Sequence, residues 1–189
     1  GDHFDPAVSA RAIADRARDG PLRVVFVGNL TPRKGLLALV EALARVDADW
    51  ELTVVGRAVD GSYVRTVRET LRAAGIEDSV AMVGELPDEA LAGILGESHV
   101  LAVPSRYEGF GLVYLEAMGF GLPVIAAVAG GASDLVTPGE TGFLVDPAEP
   151  DALASALERV ATDRDLLAEM GLAARRRYER HPDWAETAD

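Results

Sequence analysis

Six short runs of apolar residues alternate along this chain with longer segments in which apolar residues recur at helical spacing. Continuous apolarity over a short run is typical of parallel strands that are buried on both faces of a sheet. The alternation therefore predicts an α/β fold with a parallel six-stranded sheet, helices on both faces and right-handed crossovers. The predicted strands are residues 22–27, 50–55, 80–84, 99–103, 122–127 and 142–145.

The segments between the runs predict helices that cover this Rossmann-like sheet. We expect residues 21–180 to form the domain, with a linker and leading helix over 1–20 and a separate terminal segment over 181–189. A further helix begins at Leu112, and a short one follows the fifth strand. The other predicted helices are residues 7–18, 36–46, 60–74, 89–96, 150–161 and 164–180.

Composition then narrows the class of protein. At 189 residues the chain is long enough for one well-buried core and short for two enzyme-sized domains. No apolar stretch reaches the roughly 18 residues of a membrane span, so we expect a soluble protein. The net charge of −13 argues against a nucleic-acid partner, because binding a duplex needs a basic surface. Cysteine is absent, which excludes disulfides and thiolate metal sites and fits a cytoplasmic location.

The candidate chemistry concentrates after the fourth run. That run stops at Pro104, a turn with Gly109 and Gly111 follows, and a helix begins at Leu112. Unpaired N–H groups at a helix start, together with the positive end of the helix dipole, form an anion site. The two glycines would let a phosphate group approach the backbone closely.

Two carboxylates bracket this turn. Glu108 and Glu116 are eight residues apart, so both side chains could face one crevice beyond the carboxyl end of the strand. A carboxylate only accepts hydrogen bonds, which suits it to bind hydroxyl groups. A structural interpretation stays open, in which the acids simply favour the helix dipole.

A second glycine-containing loop follows the first strand and carries two cations. Gly28 is followed by Arg33, Lys34 and Gly35, and Lys34 is the single lysine among 18 basic residues. The loop lacks Gly-x-Gly-x-x-Gly and Gly-Lys-Ser/Thr, which argues against NAD and ATP cassettes. Cations at a helix start oppose the dipole slightly, which hints at a function; two ordinary surface cations are the alternative.

The pattern of Glu, seven residues and Glu, with Gly-Phe-Gly after the first acid, resembles the signature of retaining nucleotide-sugar glycosyltransferases of family 4, which have the two-domain GT-B fold. The resemblance implies that Glu108 meets the donor sugar, Glu116 the ribose, and the turn amides the diphosphate. It implies that Arg33 and Lys34 clamp the diphosphate, and it makes Glu108, Lys34 and Arg33 the catalytic candidates. The donor-binding candidates are Gly28, Arg33, Lys34, Leu86, Asp88, Glu108, Gly109, Phe110, Gly111, Leu112 and Glu116.

Other loops match the family pattern less closely. Leu86 and Asp88 lie where the family contacts the nucleotide base, although Asp88 could equally be an ordinary helix N-cap. Asn29 stands where the family often has arginine, so the role of that arginine is assigned to Arg33. Asp134, after a Gly-Gly turn, stands where glutamate is commoner, which leaves its contact in doubt.

The resemblance covers nearly the whole chain, but only the second, donor-binding half of a GT-B enzyme. The start at Gly1 without methionine fits a fragment, so we expect an N-terminal acceptor domain of the same full-length chain as partner. Transfer is expected only when both domains close over the donor, a UDP-, GDP- or ADP-linked sugar. Peripheral membrane association through the missing domain stays open.

Rival enzyme classes fit the residues less well. A glycosidase needs carboxyl groups about 5 to 9.5 Å apart, whereas eight helical residues span about 12 Å. A pyridoxal-phosphate phosphorylase needs a Schiff-base lysine, and Lys34 lies in the wrong loop. A non-catalytic nucleotide-sugar binding module or partner subunit remains the alternative. The three histidines do not cluster, His99 is expected to be structural, and neither a metal nor a cofactor besides the donor substrate is expected.

Overall fold

The computed structural model describes residues 7–107, 111–146 and 148–181. Within these residues the strands are β1 (Leu22–Val27), β2 (Trp50–Val55), β3 (Val80–Gly84), β4 (Val100–Val103), β5 (Val124–Ala127) and β6 (Gly142–Val145). The helices are α1 (Ala10–Ala17), α2 (Leu36–Leu43), α3 (Gly61–Ala74), α4 (Asp88–Glu97), α5 (Leu112–Gly119), α6 (Ala132–Leu135), α7 (Pro150–Thr162) and α8 (Arg164–Glu179). Short 3₁₀ turns occupy Pro32–Lys34 and Glu77–Ser79.

The strands form one six-stranded sheet in the order β3-β2-β1-β4-β5-β6, and all neighbouring strands are parallel. The predicted fold class is therefore confirmed. From β1 the chain builds outward through β2 to β3, then crosses back and builds in the other direction from β4. Right-handed crossovers in opposite directions place α2 and α3 on one face and α4 and α5 on the other. The reversal between β1 and β4 is a topological switch point, where such sheets bind ligands at the carboxyl ends of their strands.

The core lies on both faces of the central strands. β4 and β5 are buried at every position, which is why their sequences are continuously apolar, whereas the edge strand β3 is partly exposed. On the helical layers, α2 packs against α3 and α7, and α8 packs against α1 and α5. In the described parts of the chain, no helix combines the length and apolarity that crossing a bilayer requires.

The strand predictions agree with the structure for four of the six strands. β1, β2, β3 and β6 have the predicted bounds, but β4 starts at Val100 rather than at residue 99, and β5 at Val124 rather than at residue 122. Leu122 is not a strand residue because it donates its N–H to the carbonyl of Ala117 at 3.1 Å, which ends α5. The helix predicted to 46 ends at Leu43. The linker prediction for residues 1–6 and the terminal segment 182–189 lie outside the described residues.

His99 has the structural role expected for it. The ring is 2% exposed; its Nδ1 accepts the backbone N–H of Arg23 at 2.9 Å, and its Nε2 lies 2.7 Å from the carbonyl oxygen of Arg16. This pairing requires the neutral ring with its proton on Nε2. Burial, and next the positive charge of Arg23, lower the pKa of His99 to about 4. Among the described residues, no three histidine or carboxylate side chains are close enough to hold a metal ion.

Candidate functional site

The candidate site forms where the loops after β1 and β4 meet beside the switch point. We call residues 28–35 the basic loop and residues 104–107 the β4 loop. Gly28 follows β1 and donates its N–H to the carbonyl of Val55 at the end of β2 at 2.9 Å. The basic loop then turns through Pro32–Lys34 into α2. The strand ends therefore place the predicted cations of the basic loop at the carboxyl edge of the sheet.

Lys34 lies over the start of its own loop. Its Cδ atom would be 3.3 Å and its Cε atom 3.4 Å from a Cβ atom built on Gly28. A side chain at position 28 would crowd this lysine, which gives a local reason for a glycine there. The structure thus brings the two basic-loop residues Gly28 and Lys34 together, as the sequence predicted.

Gly35 fixes how closely the two loops approach. Its φ of +80° is in the left-handed region, and a Cβ atom there would lie 2.4 Å from the carbonyl oxygen of Pro104. No side chain fits in that gap, because the obstacle is backbone rather than a flexible side chain. The glycine is required both by its conformation and by the contact between the basic loop and the β4 loop.

Hydrogen bonds join the same two loops. The carbonyl of Arg33 accepts the N–H of Arg106 at 2.9 Å and the hydroxyl of Ser105 at 3.3 Å. In return, the guanidinium Nη1 of Arg33 donates to the carbonyl of Tyr107 at 2.7 Å. Ser105 is 1% exposed and also donates to Tyr107 at 3.0 Å. Arg33 is thus held at the entrance to the turn that leads into α5.

The segment between the β4 loop and α5 contains three of the predicted site residues. Glu108, Gly109 and Phe110 lie outside the described residues, so their predicted roles stay predictions. Gly111 is the N-cap of α5 with a φ of +62°, a conformation that glycine adopts readily. Because this cap residue has no side chain, it leaves the first amides of α5 to other acceptors.

Two further candidates lie on α5 itself. Leu112, the first residue of the helix, is 51% exposed although it belongs to the apolar pattern of α5. Met118 from the same pattern is fully buried. Glu116 is exposed and lies in the second turn, as predicted. The start of α5 therefore presents an apolar side chain and a carboxylate at its surface.

The predicted base-contact residues lie one loop further along the edge. Leu86 is half-buried and packs on the core, while Asp88 is exposed and begins α4. The N-cap of α4 is Pro87, so the alternative role of Asp88 as an N-cap is wrong. After β5, the carbonyl of Asp134 accepts a hydrogen bond from Arg177 at 3.0 Å, and its side chain is exposed.

An apolar rim borders this edge, and sequence reasoning had singled out only one of its residues, Leu112. The described residues expose five large hydrophobic side chains, and each lies in a loop after a strand, at the end of β3 or at the start of α5. All five lie towards the carboxyl end of the sheet, where a bound ligand or a partner domain would cover them. They are Val59, Val83, Tyr107, Leu112 and Val128.

The comparison with known families identifies the chain. A model of the family described as glycosyl transferases group 1 matches residues 11–177. This chain belongs to that family. The resemblance to GT-B glycosyltransferases that the motifs indicated is thereby confirmed.

Individual relatives show how much of a glycosyltransferase the chain represents. It is 37% identical over 187 residues to the GDP-mannose-dependent alpha-(1-6)-phosphatidylinositol monomannoside mannosyltransferase of Mycobacterium tuberculosis, a match covering 92% of this chain and 48% of that protein. Sucrose-phosphate synthase from Thermosynechococcus elongatus has a TM-score of 0.82 and 36% identity, over 97% of this chain and 46% of that one. Anabaena HepE in complex with UDP-glucose has a TM-score of 0.79 and 29% identity, over 92% and 49%. The chain thus spans about half the length of the curated relatives it matches.

Proposed function

We propose that this chain is the donor-binding domain of a retaining glycosyltransferase. It binds a nucleoside-diphosphate sugar at the carboxyl edge of its sheet, and an N-terminal domain of the same longer protein binds the acceptor. The relatives named above include a GDP-mannose-dependent enzyme and a protein crystallised with UDP-glucose, so this class of donor is the natural candidate.

The joined loops at the switch point carry the proposal. The contact of Gly35 with Pro104 and the bond from Arg33 to Tyr107 fix the basic loop, which carries Arg33 and Lys34, against the β4 loop before any ligand arrives. Such preorganisation lowers the ordering cost of binding a diphosphate. The N–H groups at the start of α5 and the cations Arg33 and Lys34 then share its negative charge.

The apolar rim supports the second half of the proposal. Val59, Val83 and Val128 lie in or next to different loops at the carboxyl edge and are 46%, 42% and 52% exposed. A partner domain that closes over the donor would cover these side chains and exclude water from the sugar. Transfer by this chain alone is therefore not expected.

Calorimetry with UDP, GDP and ADP, their sugars and the matching nucleosides tests the donor-binding proposal. At least one nucleoside diphosphate should bind, and Lys34→Ala should weaken it by roughly 1.5 to 3 kcal/mol, because it removes a charge-assisted contact. The nucleoside should lose far less.

Arg11→Ala is the matched control. It removes one positive charge from an exposed position on α1, whose side chain is 91% exposed and pairs with Asp15. Its affinity for the diphosphate should equal that of the wild type. If no nucleoside diphosphate binds, the proposed function is overturned. If Lys34→Ala and Arg11→Ala lose the same affinity for the diphosphate, Lys34 contributes only through the overall charge of the protein.

A further inference from the structure

Helix α2 begins just after the basic loop, and the residue at its N-cap position cannot supply a capping side chain. Its N-cap is Gly35, which has no side chain to accept the N–H groups of the first turn. A helix whose first amides lack acceptors frays at that end. The position of the basic loop therefore depends on what holds the start of α2.

An acceptor comes from the neighbouring helix. The hydroxyl oxygen of Tyr63 on α3 accepts the N–H of Leu37 at 2.9 Å. Tyr63 is 8% exposed, and burial raises the pKa of its hydroxyl, with hydrogen bonds from the α2 backbone acting in the opposite direction. The hydroxyl thus stays neutral and in place at neutral pH, where it acts as a cap supplied from another element.

The tyrosine itself is anchored. Tyr63 lies in the first turn of α3, where its own N–H donates to the carboxylate of Asp60 at 3.0 Å. The same carboxylate accepts the N–H of Ser62 at 3.1 Å. The carboxylate of Asp60 fixes the start of α3 and with it the backbone of Tyr63. The hydroxyl of Tyr63 in turn fixes the position of Leu37 on α2.

We infer that Tyr63 is a positioning residue for diphosphate binding, an inference that rests on the proposed function. The basic loop is held on one side by the β4 loop, at Arg33 and Gly35, and on the other by Tyr63, at Leu37. In sequence, Lys34 lies between the first β4-loop contact, at Arg33, and the Tyr63 contact, at Leu37. Tyr63 acts on the diphosphate through the backbone that presents Lys34, not by contact with the reacting atoms.

Tyr63→Phe tests the inference, because it keeps the buried ring and removes only the oxygen that caps Leu37. Without the cap, the first turn of α2 must be ordered when the ligand binds, and the affinity bears that cost. We expect affinity for the nucleoside diphosphate that binds best to the wild type to fall about 3- to 10-fold, and affinity for the nucleoside to stay within a factor of two.

Asp163→Ala is the control for lost stability. Asp163 caps α8 by accepting the N–H of Leu166 at 2.9 Å, at the other end of the sheet from the basic loop. Its removal should lower the melting temperature at least as much as Tyr63→Phe and leave both affinities unchanged.

The outcomes separate this inference from the proposed function. If the wild type binds no nucleoside diphosphate, both the proposed function and the inference about Tyr63 are overturned. If the wild type binds and Tyr63→Phe binds equally well, or loses diphosphate and nucleoside alike, only the positioning role is overturned. Tighter diphosphate binding by Tyr63→Phe would also overturn it, since the amide of Leu37 would then itself be the phosphate ligand. If Asp163→Ala loses as much affinity for the diphosphate as Tyr63→Phe does, reduced stability alone explains the weaker binding of Tyr63→Phe.

Discussion

At the amino end of the sheet, Arg16 and Arg164 lie between helices and donate to backbone carbonyls, whereas at the carboxyl end Arg33 donates to a loop carbonyl beside exposed apolar side chains. Arg16 donates to the carbonyls of Gly96 and Phe120 at 2.9 Å each, and Arg164 donates to the carbonyl of Gly20 at 2.8 Å. These bonds tie α1, α4 and α8 together. The amino-end arginines thus hold helices together, while Arg33 holds two loops together next to the exposed side chain of Tyr107.

The comparison shows that two usual signs of a functional site point away from the proposed donor site, towards the amino end of the sheet. Burial lowers the pKa of Arg16 to about 10 and that of His99 to about 4, and both lie at the amino end. A groove of about 470 Å³ also opens there, lined in part by Arg16 and Arg23. Strongly shifted pKa values identify functional sites only probabilistically, because structural networks shift them too. The proposed site rests instead on the joined loops and the exposed apolar rim at the carboxyl end.

The largest effect is expected from Gly35→Ala, which should disrupt the contact between the basic loop and the β4 loop. The new Cβ atom would lie 2.4 Å from the carbonyl oxygen of Pro104, and a φ of +80° is strained for alanine. We expect a loss of roughly 3 to 5 kcal/mol in the free energy of unfolding, from backbone strain and overpacking together. Urea denaturation measures the loss, and calorimetry should show that nucleoside diphosphate binding disappears.

Gly93→Ala is the control for a glycine-to-alanine change. Gly93 is an exposed position in α4, and a Cβ atom there would meet no other atom within 4 Å. Alanine should stabilise the helix by about 0.5 to 1 kcal/mol and leave binding unchanged. A Gly35→Ala variant as stable as the wild type would mean that the close contact between the two loops does not exist in solution.

The role of His99 at the amino end of the sheet predicts how the stability of the protein depends on pH. His99 has a folded-state pKa of about 4, below its unfolded value of about 6.5, so its neutral form stabilises the fold. That stability is fully present above pH 6.5 and is lost as the pH falls towards 4, because the unfolded chain takes up the proton first. Between pH 7 and pH 4.5, this one group should cost roughly 2 kcal/mol.

His99→Gln isolates the contribution of the histidine. Carboxylates also titrate in this range, so the measured quantity is the difference in pH dependence between the wild type and His99→Gln in urea denaturation. The wild type should lose about 2 kcal/mol more, and at pH 7 both proteins should bind nucleotide equally, since His99 lies at the far end of the sheet. Parallel stability curves would show that His99 titrates as it does in the unfolded chain.

The sequence predicted the sheet because its physical signal is local. Strands buried on both faces must be apolar at consecutive positions, and glycines mark the turns at their ends. β4 and β5, which are buried at every position, were found for this reason, and β1 and β2 were predicted with their observed bounds. Helix ends were less certain, as at α2, because they depend on capping and packing partners that are distant in the sequence.

The site was predictable only in part for the same reason. Arg33 and Lys34 became candidates because they are adjacent in one loop that resembles the basic loop of the family. Tyr63 gave no signal, because it is separated in sequence from the amide of Leu37 that it caps and is an ordinary apolar residue in the pattern of α3. Ser105 follows Pro104 in the stretch that was singled out, yet only the folded chain shows its bond to the carbonyl of Arg33.

The smallest expected effects distinguish the predicted roles of the two glutamates, Glu108 and Glu116. If Glu116 accepts from the ribose, Glu116→Gln should weaken nucleoside diphosphate and nucleotide sugar alike, since both carry that ribose. If Glu108 faces the sugar, Glu108→Gln should leave the diphosphate affinity nearly unchanged and weaken the nucleotide sugar by about 1 to 2 kcal/mol. Glu169→Gln, which removes one negative charge from an exposed position on α8, should change neither affinity.

Calorimetry on these three variants with both ligands decides the assignment. If Glu108→Gln weakens the diphosphate as much as Glu116→Gln does, the division of roles is wrong. In the complete two-domain enzyme, the change at Glu108 should cost more in turnover than in binding. Positive charge develops at the sugar ring as the bond to the diphosphate breaks, so a carboxylate near the ring stabilises the transition state more than the bound substrate.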